Sequence, residues 1–231
     1  MVREISVRSD DDVTDETAAS QVTKAMAAGR KVAATRAKKL RVAVFIDGSN
    51  LYFKLRTLVP HKMDFIRYRY RDLVLSLLQP DERLAYAGYY VGVVRDTKRT
   101  KNHEKTLELL KNQQKLFDQL RHQDLQVVKG YLLERDSRYF EKGVDVRLAV
   151  DIVTMAQAKK YDVGIVISSD TDLIPAMQAA QKLKRRVVYV GFEHQPSLAL
   201  IRQADRSRLL TRREAEHYIG KDLEVRRYDD E

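Results

Sequence analysis

Short apolar runs rich in β-branched residues alternate along this chain with longer stretches whose apolar positions recur every three or four residues. Near-continuous apolar runs bounded by polar turns predict buried strands, and the longer period predicts amphipathic helices. On this pattern strands are expected over 41–46, 84–94 and 125–133, through the run ending at Ile167, and again at 186–191. Helices are expected over 51–58, 64–78, 98–121, 144–159 and 173–184, with a short one through Arg202 after a polar turn at 193–197. Leu107, Leu110, Phe117 and Leu120 form the core stripe of the long helix. Gln79-Pro80-Asp81 ends the second helix, and Pro175 falls in a first helical turn, where a missing N–H is tolerated. A charged loop is expected between residue 133 and Gly143.

Strand–helix–strand alternation with crossovers of this length predicts parallel pairing in a doubly wound α/β sheet over about 41–204. Strands that are apolar on every residue are buried on both faces, as central parallel strands are. Acidic residues then recur at equivalent places. Asp47 follows the first strand, Asp145 opens a helix, and Asp170 and Asp172 follow the strand ending at Ile167. Parallel strands put all of these at the carboxyl edge of the sheet, where open α/β sheets build their sites.

Composition narrows the chemistry. The 231 residues have no cysteine, which excludes disulfides, thiol catalysis and cysteine-ligated zinc. No apolar run approaches a membrane span and no signal-peptide core follows the first residues, so a cytoplasmic protein with no membrane contact is expected. The formal charge of +10 favours a polyanionic partner, nucleic acid first. Basic residues cluster in an alanine-rich arm before Arg41, at Lys98, Arg99, Lys101 and Lys105, and over 206–213. Cations at a helix start oppose its macrodipole, and a phosphate partner would account for them. Arg67-Tyr68-Arg69-Tyr70-Arg71 interleaves rings and cations, but five consecutive helical residues make a mixed surface rather than one binding face. The arm, acidic then basic over 1–40, is expected to be partly ordered or helical, and a place for a second copy or a protein partner to dock.

Carboxylates converging at a sheet edge are hard oxygen donors suited to Mg2+ or Mn2+, and point to phosphoryl transfer or phosphodiester hydrolysis. A purely structural role competes, because single Asp residues commonly cap helices; Asp145 and Asp172 are the candidates for it. His61, His103, His122, His194 and His217 are dispersed without metal-ligand spacing. Asp151 shares a helix with Asp145 but stands about 120° round it, so it is expected to pair with a basic neighbour instead.

Val44-Phe45-Ile46-Asp47-Gly48-Ser49-Asn50-Leu51, Lys142-Gly143-Val144-Asp145-Val146 and Ser168-Ser169-Asp170-Thr171-Asp172-Leu173, in this order, resemble the NYN domain of the PIN-like nuclease superfamily. The resemblance covers about 41–205, leaving 206–231 as a basic extension. It implies a Rossmann-like, mostly parallel sheet flanked by helices and a metal-dependent ribonuclease centre. Asp47, Asp145, Asp170 and Asp172 take the places of the acidic ligands, with Ser49 and Asn50 beside metal or substrate. The implied products carry a 5′-phosphate and a 3′-hydroxyl. Two positions depart from the pattern: Ser169 where a small Gly is usual, and Leu173 where an aromatic is usual. A haloacid-dehalogenase-like phosphatase needs a second carboxylate where Ser49 stands, and a Toprim-like domain wants Glu where Asp47 stands. A receiver domain lacks its acidic pair and late lysine. The remaining alternative is a PIN-like module, weak or inactive in catalysis, that binds RNA or a protein.

Overall fold

Seven strands form one sheet in the order β4-β3-β2-β1-β5-β6-β7, parallel except for antiparallel β4 at one edge. The computed structural model describes residues 38–59, 64–93, 103–135 and 138–220. The strands are β1 (Leu40–Asp47), β2 (Glu82–Val93), β3 (Gln126–Arg135), β4 (Arg138–Lys142), β5 (Val163–Ile167), β6 (Arg186–Phe192) and β7 (Arg206–Leu210). The helices are α1 (Gly48–Leu58), α2 (Tyr70–Ser76), α3 (His103–His122), α4 (Val144–Gln157), α5 (Ile174–Lys182), α6 (Leu198–Gln203) and α7 (Arg212–His217), with a 3-10 turn at Thr171–Leu173 before α5. By chain contacts the molecule divides into Met1–Lys38 and Lys39–Glu231, and the second unit carries the sheet. Among the described residues no helix is long and apolar enough to cross a membrane.

The continuous apolar runs are explained by two cores. In β1, Val42, Val44 and Ile46 enter one core, and Ala43 and Phe45 the other. β5 and β6 divide the same way: Ile165, Ile167, Val188 and Val190 lie on the first face, Val166, Val187 and Tyr189 on the second. A strand whose two faces are both buried has no polar alternation to show. Without β4, the order 3-2-1-5-6-7 is that of a Rossmann-type sheet, and the direction of winding reverses between β1 and β5.

Three elements differ from expectation. The helix expected over 64–78 is only α2, because Asp64 accepts hydrogen bonds from the Ile66 and Arg67 amides and holds a turn. The Arg69 amide then donates to the Tyr218 carbonyl at 2.8 Å, a tertiary contact that replaces a helical one. Tyr68 and Tyr70 are fully buried, while Arg67, Arg69 and Arg71 pair with Asp64, Asp72 and Asp124. Second, the charged loop before Gly143 contains β4, paired antiparallel with β3 from Arg135 against Arg138. Third, 206–210 is β7, hydrogen-bonded to β6, so the sheet continues past the boundary expected at 205. Its arginines are engaged within the fold: Arg206 lies 3.9 Å from the buried Glu82, and Arg208 pairs with Glu214 at 2.8 Å.

The amino ends of β1 and β5 are clasped together. Asp162 accepts from Arg41 through its amide, Nε and Nη2 at 2.9–3.1 Å. Hydrogen bonds from Arg41 hold the Asp162 carboxyl down at about 2. A depressed carboxylate pKa contributes stability that is complete above the unfolded value near 4 and disappears as pH falls from there to about 2. Asp162→Asn is therefore expected to lower the urea midpoint at pH 7 and to lessen its fall between about pH 4 and pH 2. The half-exposed setting makes the difference smaller at high salt.

Candidate functional site

β1 delivers Asp47 to the carboxyl edge of the sheet at the point where the winding reverses. The residue is only 5% exposed, and it caps α1: Oδ1 accepts from the Asn50 amide at 2.9 Å. Oδ2 accepts from the Ser168 hydroxyl, 2.8 Å away at the end of β5. That hydroxyl oxygen in turn accepts from the Asp170 amide at 3.1 Å. Asp170 repeats the arrangement one strand over, its Oδ1 capping the 3-10 turn by accepting from the Asp172 amide at 2.9 Å. A second tie crosses the same gap, from the Ser169 amide to Oδ1 of Asn50 at 3.1 Å. The Asp47 carboxylate is thus joined through Ser168 to the Asp170 backbone, and each aspartate stands at the start of a helical segment whose dipole favours negative charge.

Gly48 and Gly143 are needed for their backbones. A Cβ on Gly48 would stand 2.8 Å from the Tyr90 carbonyl oxygen and overlap the Tyr89 ring. The close approach of β2 sets where the Asp47 turn lies. Gly143 caps α4 at φ +76°, a conformation that favours glycine, and so turns the chain into the helix carrying Asp145.

Asp145 lies in the first turn of α4 and is exposed. Because α4 leads into β5 and runs against it, that turn is at the same sheet edge, and α4 packs against the 3-10 turn that holds Asp172. Asp172 is likewise exposed. The caps are therefore Asp47 and Asp170, not the Asp145 and Asp172 that the sequence suggests for that role. Asp151 pairs with Arg147 at 3.0 Å and accepts from the Tyr90 hydroxyl at 3.0 Å, the structural role expected of it. Ser49 and Asn50 open α1 at this edge. Lys98, Arg99 and Lys101 lie outside the described residues, as does the arm over 1–37; Lys105 falls in the first turn of α3.

Asp47, Asp170 and the Ser169 hydroxyl, which is buried without a hydrogen-bond partner among the described residues, are all oxygen donors of the hard kind that Mg2+ and Mn2+ prefer. In donor type the edge fits a divalent cation. Yet among the described residues no three acidic or imidazole side chains gather as a metal-binding group, so the full convergence of four carboxylates is not seen. Ser168 and Ser169 are the functional residues that sequence reasoning undervalued. Their signal was the Ser-Ser pair ahead of Asp170, in which Ser168 belongs to the motif and Ser169 departs from the pattern.

The NYN domain family model matches residues 41–211. The chain is also similar to a protein of unknown function from Vibrio parahaemolyticus, whose crystal structure superposes with a TM-score of 0.55 at 21% identity. That similarity covers 76% of this chain and 96% of the other, and is a likeness of fold. No curated protein matches the chain.

Proposed function

The chain belongs to the NYN domain family of the PIN-like nuclease superfamily, and on that premise we propose that it is a metal-dependent endoribonuclease hydrolysing RNA phosphodiester bonds. One observation carries the reading: Asp47, at the end of β1, and the backbone of Asp170, in the turn after the neighbouring β5, are tied together through Ser168 at the switch point of the sheet. Asp47 and Asp170 would hold a Mg2+ or Mn2+ ion, with Asp145 and Asp172 the further carboxylates at that edge. Such an ion, when bound, neutralises charge on the phosphodiester and makes a water a better nucleophile.

The chain's own residues do the positioning. Asp47 is oriented by the Asn50 amide, which donates to Oδ1, and by the Ser168 hydroxyl, which donates to Oδ2. Ser168 sets the relation of Asp47 to the Asp170 backbone, and Asn50 holds the β1 and β5 turns together. The partner is RNA, in keeping with the charge of +10. The cytoplasm is the proposed location, and a homodimer or protein contact through the arm remains part of the proposal.

A non-cutting RNA-binding or protein-interaction module is the second reading, favoured by the absence of a gathered group of three metal-binding side chains among the described residues. Cleavage of labelled single-stranded and structured RNA with Mn2+, Mg2+ or chelator separates the two. The expected result is cleavage with either metal and none in chelator, leaving 5′-phosphate ends. Salt-sensitive binding without cleavage under any metal would give the case to the second reading.

A further inference from the structure

The three most exposed large apolar side chains among the described residues are Val146 at 67%, Leu198 at 63% and Phe53 at 61%. All three stand on helices that begin at the carboxyl edge of the sheet: α4, α6 and α1. The next most exposed, Val150, is at 48%. Single exposed apolar residues need no explanation, but their concentration at one functional edge does.

Phe53 is the most specific of them. It lies three and four residues beyond Asn50 and Ser49 and three before Arg56, so all share one face of α1. Its ring stands edge-on to Tyr52 at 5.4 Å and 77°. Tyr52 in turn rests on Phe65 at 4.3 Å, and Phe65 packs against the core. The ring is thereby buttressed from one side and open on the other. Holding it in place costs little further entropy when something flat covers it. From Asp47 to Phe53 is about 9 Å along the helix axis, within reach of a nucleotide next to the one whose phosphate is cut.

We propose that Phe53 is a stacking platform for a nucleobase of single-stranded RNA beside the cleaved bond, with Arg56 facing the adjoining phosphate. The inference rests on the nuclease reading for its substrate. Apolar aromatic area paired with a cation on one helix face matches the flat faces and charged backbone of a single strand. A protein interface would draw on a larger contiguous patch, whereas Val146 and Leu198 stand on separate helices. Paired bases hide their faces, so a duplex gains nothing from the ring.

The test uses the full chain carrying Asp170→Asn, which holds RNA uncut, and in parallel the unsubstituted chain in chelator. Binding of a labelled unstructured oligonucleotide and of a duplex is compared with and without Phe53→Ala. Truncation at so exposed a position leaves melting unchanged, which is checked first. Stacking contributions of the usual size predict roughly tenfold weaker single-strand binding, restored by Phe53→Trp, with duplex binding unmoved. In cleavage assays the loss falls on KM. Phe53-dependent binding without any cleavage would sustain the platform while removing the nuclease reading. Cleavage with a KM indifferent to Phe53→Ala would do the reverse. Unchanged RNA binding together with a self-associated form that dissolves in Phe53→Ala would assign the ring to a protein contact and overturn the proposal.

Discussion

Asp47→Asn is expected to abolish RNA cleavage while the protein melts within a few degrees of the parent. Loss of outer groups around a metal already costs about 10–100-fold, so removing a ligand charge should cost at least about 100-fold. Stability is largely kept because, of the Asn50 and Ser168 donors to Asp47, only the Ser168 hydroxyl proton loses its acceptor. The new amide oxygen still accepts from the Asn50 amide. Its NH2 group donates to the Ser168 oxygen, which has two lone pairs and already accepts from the Asp170 amide. Asp47→Ala is the contrasting case. It leaves the Asn50 amide and the Ser168 hydroxyl without their acceptor in a buried place, at about 1–3 kcal/mol for each unsatisfied group. Both variants are inactive, and only the alanine variant is unstable. Cleavage rates and melting curves measured together check this, and an asparagine variant that cuts at the parental rate rejects Asp47 as a ligand.

The second large effect belongs to a residue with no side chain. Gly48→Val is expected to destabilise the fold by about 2–3 kcal/mol, as overpacking of a close-packed interior does, and to remove cleavage with it. The obstacle is partly backbone: the Tyr90 carbonyl lies 2.8 Å from where the Cβ would be, and β2 cannot withdraw without unpairing from β1. The turn must move instead, taking Asp47 and the Asn50 amide with it. For a domain of this size that loss lowers Tm by roughly 5–10 °C. A valine variant with parental Tm and parental cleavage would show that the turn has slack the packing does not suggest.

The sheet and its functional edge were legible in the chain because their physics is local. A strand buried on both faces must be apolar at every residue, as 42–46 is, and the acid after it must then lie at the strand's end. Pro175 could be read as a first-turn residue, and Asp151 as lying off the Asp145 face, both from backbone geometry alone. Long-range competition was not legible. The 64–78 stretch has helical period throughout, yet its first turn is surrendered to a bond with the Tyr218 carbonyl, about 150 residues away in sequence. The arginines of 206–213 read as an open basic patch because their partners Glu82 and Glu214 are identified only once β7 is laid beside β6. The exposure of Phe53 likewise depends on what the tertiary fold leaves uncovered. The sequence by itself determined which residues are apolar on which period, and hence the strands, their burial and the acids at their ends. Only the tertiary structure decided which acids meet. The hydrogen bond from Ser168 to Asp47 spans 121 positions and exists because β1 and β5 are neighbours, a pairing made by the sum of two cores and not by any short stretch of chain.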